Sequence, residues 1–339
     1  MKQLKLESKG NCRDNIILHY YSWTPKRPIG WVHIIHGMSE HAQRYGETAQ
    51  LLNDAGYMVT ADDHRGHGQT GVSFNSLAHL GDEGGWQLLI QDQMALLTTI
   101  KQTTKLKPFI LGHSMGAAMS LALCQKYANK LTGLASGLIL SGSWYAPSAS
   151  YLPALAIARL ERARLGSKSP SELLHYLSFG HFNRSFTPSD TEADWLSRDK
   201  LKVLDYAADP LCGFPLTTQS WVDFINGLIQ IFKKTSFCKI DPKLPFYLIS
   251  GDQDPVGGKG KKVKDLFCRL SEAGVEDIKM KLHRQCRHEI FNEISRREVY
   301  IDVRRWMDGV LNGQEKHQGS AIDMLSSVAF DQIKNYRAK

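Results

Sequence analysis

Short apolar runs alternate along the chain with longer segments whose apolar residues recur at helical spacing. Ile16 to Trp23 is rich in β-branched and aromatic residues and predicts an early strand. Trp31 to Ile35 predicts a second, closed by His36-Gly37. Helical spacing over Tyr45 to Ala55 stops at Gly56, and a strand follows at Tyr57 to Ala61, ending at Asp62-Asp63. A long helix over Gly85 to Thr104, a buried strand at Phe109 to Leu111, a Gly-rich turn, a helix over Ala117 to Tyr127 and a strand at Leu138 to Leu140 continue the series. Strands alternating with helices predict an α/β fold with a mainly parallel sheet covered on both faces.

The alternation breaks between Trp144 and Phe214, where no clear strand is legible and the segment reads as a mostly helical insertion. Within it Leu152, Ala156, Leu160 and Ala163 share one helix face, with Glu161 and Arg162 on the other side. The pattern resumes with a strand at Phe246 to Ser250, a helix over Lys259 to Ala273, a last strand at Ile278 to His283 and a closing helix over Ile290 to Val310. Beyond Asn312 the chain is polar and then helical again. Ser320 and Asp323 form a candidate capping box before a stripe of Ile322, Leu325, Ala329 and Ile333, predicting a docked accessory helix, with a surface-binding amphipathic helix as the alternative. The expected organisation is a core from 1–143 and 215–311, an insertion at 144–214, and a tail at 312–339.

The 339 residues, 42% hydrophobic and 22% charged, suit a soluble globular chain whose core needs no disulfides. Its six cysteines include no C-x-x-C pair, which predicts reduced thiols in a cytoplasmic protein. No stretch approaches the ~20 apolar residues of a spanning helix. The formal charge of +8 fits attraction to an anionic surface or a solvated surface with extra Lys and Arg. The basic residues are scattered, which favours the second, and no nucleic-acid motif is present.

The candidate chemistry starts at Gly112-His113-Ser114-Met115-Gly116, a G-x-S-x-G run between a predicted strand and a predicted helix. A sharp strand-to-helix turn pushes the Ser114 hydroxyl out of the sheet, and the helix N-terminus favours a developing anion beside it. His113 is read as structural, because adjacent side chains at such a turn point in different directions. A serine hydroxyl needs a base, and the base needs a carboxylate to fix its tautomer. In chain order the acid follows a late strand and the histidine follows the last one. Asp252 and Asp254 both follow the strand Phe246 to Ser250. Spacing does not choose between them, although Pro255 stiffens the loop after Asp254. His283 ends the last strand, whereas His288 lies in the following loop and is preferred. The oxyanion donors expected are the backbone N–H groups of Met115 and, in His36-Gly37-Met38-Ser39-Glu40-His41, Met38. His36 and His41 are read as organising that loop. Asp63-His64-Arg65-Gly66-His67-Gly68 looks like a metal cluster but is read as a structural loop, so no metal and no cofactor are expected.

These segments, His36 to His41, Asp63 to Gly68 and Gly112 to Gly116, resemble the monoacylglycerol lipase and lysophospholipase branch of the α/β-hydrolases, also labelled serine aminopeptidase-like. The resemblance covers about Ile16 to Gly309. Asp194 to Asp199, Asp209 to Phe214 and Gly251 to Gly257 are similar to a bacterial subgroup. That resemblance implies Asp254 rather than Asp252 as the triad acid, His288 as the triad base, and a lid in the insertion. The expected reaction is hydrolysis of an acyl ester of the monoacylglycerol or lysophospholipid type through an acyl-enzyme. The alternative is a serine aminopeptidase, for which Glu192, Asp194 and Asp199 are candidate ammonium-binding carboxylates. A non-catalytic binding module is the third option. The expected partner is a small-molecule acyl ester or lipid, with no nucleic acid. Peripheral contact with the inner face of the membrane is open through the lid or the basic surface. Arg159, Arg162 and Arg164 either meet a phosphate head group or keep the lid soluble. Oligomeric state is not legible.

Overall fold

Continuous apolar runs become the interior of one eight-stranded sheet. The computed structural model describes residues 1–7, 16–131 and 133–313; Cys12 and the expected tail helix with its box at Ser320 and Asp323 lie outside them. The strands are β1 (Lys2–Glu7), β2 (Ile17–Trp23), β3 (Gly30–Ile35), β4 (Tyr57–Asp62), β5 (Pro108–His113), β6 (Gly137–Ser141), β7 (Phe246–Gly251) and β8 (Ile278–His283). Their order is β1-β2-β4-β3-β5-β6-β7-β8. The first two pairings are antiparallel and the remaining ones parallel. The five strands from β3 to β7 are buried along their whole length, as expected where helices cover both faces.

Alternate residues of each strand feed two cores. Phe109 and Leu111 pack with the helices Gly46–Asp54 and Arg296–Asn312, whereas Ile110 packs with Gly85–Thr104, Met115–Lys126, Thr218–Ile231 and Lys261–Glu272. The four loops with the candidate chemistry leave the carboxyl ends of β3, β5, β7 and β8, the end where open α/β sheets place their ligands.

Several elements depart from the sequence reading, among them the closing helix, which begins at Arg296 after a separate short turn at Ile290–Asn292. β1 is a polar edge strand whose Lys-Gln-Leu-Lys-Leu-Glu sequence gives no apolar run to detect. The short helix Gly68–Ser73 holds two glycines and lacks a propensity signal. Thr218–Ile231 is a buried helix whose signals were present: Thr217 caps it by accepting from Ser220 N–H, and Trp221, Phe224, Ile225 and Leu228 recur at helical spacing. Gly227 interrupts the pattern because a Cβ there would stand 2.4 Å from the Trp86 ring, so the glycine lets the two elements touch.

Segment 144–214 contains no strand, in line with the predicted break. Its Leu152–Leu165 helix turns the unexpected way. Leu152 and Leu160 are 54% and 70% exposed, while Leu155, Ala158 and Glu161 face inward. Glu161 tolerates burial because Arg164 donates to it at 2.8 Å and Ser171 Oγ at 2.7 Å. Arg162 donates to Gln219 Oε1 at 2.8 Å and ties the helix to Thr218–Ile231, Arg164 pairs with Glu161 within the helix itself, and Arg159 is left for solvent. Among the described residues no helix is long and apolar enough to cross a membrane, and Cys124, Cys212, Cys238, Cys268 and Cys286 are free thiols.

Candidate active site

The turn after β5 is held by close backbone approach. Ser114 has φ 53° and ψ −114°, a left-handed conformation that costs a non-glycine residue about 1–3 kcal/mol unless its surroundings impose it. They do: a Cβ at Gly116 would lie 2.0 Å from Ile35 O, and one at Gly112 would lie 2.4 Å from Gly116 O. Ser114 N–H donates to Ser141 O at 2.9 Å, and Ser114 O accepts from Ala117 N–H at 2.9 Å. The hydroxyl therefore stands at the N-terminus of Met115–Lys126, partly exposed.

Asp254 and His288 meet in the interior. Asp254 Oδ1 is 3.0 Å from His288 Nδ1, and both side chains are buried. Asp254 also accepts from Ser250 Oγ and Val256 N–H, each at 2.9 Å. Burial alone would push this carboxyl upward, but His288 and the hydrogen bonds bring it below the ordinary range. For His288 burial works downward, and Asp254 outweighs it and raises the imidazole above 6.5. Asp252 is occupied differently, since its Oδ1 accepts from Gln285 N–H at 2.7 Å and holds the turn. His283 packs at the end of β8, pushed down to about 4 by burial and then Lys281. A Cβ at Gly142 would stand 2.8 Å from His288 Cε1, so the imidazole edge lies against the strand end that binds Ser114 N–H. Among the described residues no hydrogen bond joins the Ser114 hydroxyl to His288; such contacts are often long before substrate arrives.

The loop after β3 lies beside the serine, with a Cβ built at Gly37 falling 3.4 Å from Ser114 Cβ. Neither Met38 N–H nor Met115 N–H bonds to another protein group among the described residues. Gly37 N–H donates to Glu40 Oε1 at 2.5 Å, and Ser39 Oγ donates to Phe214 O at 2.7 Å. Sequence reading missed what braces this loop. Arg44 donates to Glu40 Oε2 at 2.6 Å and to both oxygens of Glu289, at 2.6 and 2.8 Å. Burial pushes Glu289 upward, but Arg44 draws it down to about 2. Burial dominates at Glu40, which is raised. One guanidinium thus ties the Met38 loop to the His288 loop across 245 residues of sequence, a pairing with no local signal.

The histidine-rich run is braced internally. His36 and His64 stack with centroids 3.7 Å apart, His64 Nδ1 lies 2.8 Å from Asp62 Oδ2, and Arg65 donates to Asp92 at 2.6 Å. The group with metal-ligand chemistry lies elsewhere: His41, Asp209 and Cys212 offer atoms within 4.8 Å of one another. Two of the three already satisfy each other, His41 Nε2 standing 2.8 Å from Asp209 Oδ2. Of the carboxylates considered for an ammonium, Asp194 accepts from Asp190 and Thr191, and Asp199 accepts from Leu201 N–H and Arg296.

Known proteins resemble the chain in sequence and architecture. The family described as serine aminopeptidase, S33, matches residues 26–295. A monoacylglycerol lipase of Mycolicibacterium smegmatis is 30% identical, over 85% of this chain and 91% of its own. A monoglyceride lipase of Rattus norvegicus is 26% identical over 84% of each chain. The solved structure of a carboxyl esterase from Bacillus coagulans in complex with glycerol superposes with a TM-score of 0.81 at 28% identity, covering 91% of this chain and 98% of that one.

Proposed function

The chain belongs to the serine aminopeptidase S33 family of the α/β-hydrolases, and from that premise we propose that it cleaves acyl esters of the monoacylglycerol type with Ser114 as nucleophile. The observation that carries this reading is the buried Asp254–His288 contact at 3.0 Å, which shares the carboxyl edge of the sheet with the strained Ser114 turn. Asp254 holds the proton on His288 Nδ1 and leaves the Nε2 lone pair free. His288 Nε2 takes the Ser114 proton as Oγ attacks the ester carbonyl carbon. The oxyanion is met by Met38 and Met115 N–H, and His288 returns the proton to the departing alcohol oxygen. Water, activated by the same imidazole, then hydrolyses the acyl-enzyme.

The ester reading is preferred over the aminopeptidase reading because Asp194 and Asp199 are committed to local hydrogen bonds and ion pairs, and Glu192 is exposed to solvent. It also fits the relatives, two of them named for monoacylglycerol or monoglyceride cleavage. The insertion at 144–214 serves as a lid, and its exposed Leu152, Leu160 and Arg159 are the surface through which it meets a lipid aggregate.

The test offers the protein and its Ser114→Ala variant a long-chain monoacylglycerol, a lysophospholipid and an aminoacyl anilide. Turnover of the monoacylglycerol, falling at least about a thousandfold in the variant, is expected. Serine-dependent release from the anilide alone overturns the ester reading. Absence of both turnover and fluorophosphonate labelling overturns the hydrolytic one.

A further inference from the structure

The His288 loop is held by the insertion as well as by the sheet. His288 N–H donates to Trp195 O at 3.4 Å, and Glu289 N–H donates to Leu196 O at 2.7 Å. The Trp195 indole lies over the imidazole with centroids 5.0 Å apart and planes inclined by 32°. It is only 6% exposed. Phe179 stacks with it at 5.9 Å and 21°, and Phe182 packs on it at 5.1 Å. The Trp195 backbone N–H donates to Asn183 Oδ1 at 2.9 Å, and Arg287 donates to the carbonyls of Asp194 and Ser197. The main chain at Trp195 is thus fixed from both sequence directions, and the indole lies between His288 and an aromatic cluster built from the insertion.

We propose that Trp195 is a positioning residue for ester cleavage, holding the His288 ring in line and supporting through its π face the positive charge the ring acquires when it takes the Ser114 proton. The proposal rests on the reading of His288 as the base. Its physical ground is the attraction of a cation to an aromatic face within about 6 Å, strongest for tryptophan and in a desolvated setting. Other groups bear on the same ring. Asp254, Glu289 and Glu40 favour the charged form, with Arg44 standing between the last two. His113, its ring centroid 4.7 Å away, does not compete for the proton, because burial and then His288 itself hold it down to about 3. Since Phe179 and Phe182 belong to the insertion, any displacement of that cluster reaches the imidazole through Trp195.

The experiment compares Trp195→Leu and Trp195→Phe with the parent across pH, using a soluble short-chain ester so that lipid contact does not enter. Trp195→Leu is expected to lower kcat by about 3- to 30-fold with little change in KM. Its acid limb of kcat/KM moves to lower pH, because a less supported imidazolium loses its proton more readily. Trp195→Phe, which keeps a π face, retains most of both properties. An unmoved acid limb in Trp195→Leu, or equal impairment of the two variants through KM alone, overturns the proposal. Should Trp195→Leu fail to fold, replacing tryptophan by its fluorinated analogues weakens the π face at constant shape. The limb then moves down stepwise with fluorination, and a stationary limb overturns the proposal. Fluorophosphonate labelling of the parent at Ser114 separates this failure from that of the triad reading, since it reports the nucleophile whatever Trp195 does.

Discussion

The serine side and the histidine side of the site are held by different physics. Ser114 owes its place to excluded volume: glycines at 112 and 116 let backbone approach backbone, and the strained dihedrals follow. His288 owes its place to polar and aromatic partners drawn from distant segments, namely Asp254, the Arg44 bridge through Glu289, and Trp195. A steric constraint is written in a few adjacent letters and tolerates almost no change. A network of partners is spread over the chain and fails in degrees.

Perturbing each side separates the two. The largest effect is expected at Asp254→Asn, which offers an amide where Nδ1–H needs an acceptor and lowers kcat by about ten-thousandfold. The matched Asp252→Asn keeps an oxygen that accepts from Gln285 N–H, exchanging only a carboxylate acceptor for an amide one, and costs no more than about 1 kcal/mol, read by chemical denaturation, with kcat near that of the parent. Arg44→Met leaves Glu40 and Glu289 buried without their cation and costs about 3–5 kcal/mol of stability by the same measurement. Because that guanidinium joins both loops, kcat falls with it. Gly116→Ala places a methyl against Ile35 O and costs about 1–3 kcal/mol. Slower fluorophosphonate labelling with an unchanged His288 titration, followed by NMR, would show that the damage stays on the serine side. On the proposed assignment of His288 as the base, kcat/KM of the parent is expected to fall with acidification through a pH above 6.5, because the imidazole must be neutral to take the proton and its folded value is raised. A limb below 6.5 would contradict the dominance of Asp254 over burial at the imidazole. The smallest effect is at Leu160→Gln, within about 0.5 kcal/mol in stability, with reduced turnover of emulsified but not soluble esters.

Legibility followed the same division. The Gly85–Thr104 helix and the last strand, Ile278–His283, were read to the residue, since each carries its own periodicity. The Ser114 turn was legible because glycine spacing records a local clash. The choice between Asp252 and Asp254 was not made by spacing, since both follow the same strand and differ only in what they meet after folding. Arg44 and Glu289 gave no signal for the same reason. Trp195 stood within a recognised run but acquires a role only through the fold. The Leu152–Leu165 helix misled, because its leucines at 152 and 160 face outward while a glutamate at 161 faces in. Apolar spacing finds a helix face but does not say which face is covered.

The two margins of the sheet bear on behaviour in crowded solution. β1 reads Lys-Gln-Leu-Lys-Leu-Glu, and β8 reads Ile-Lys-Met-Lys-Leu-His. The β1 ribbon therefore carries two exposed ammonium groups where another chain would have to add itself to continue the hydrogen-bonded ladder, whereas on β8 Lys281 is paired with Asp302. Repulsion between like cations makes edge-to-edge addition at β1 unfavourable. The lysines at 2 and 5 thus act as guards against fibrillar association, independently of anything the molecule does to its substrate.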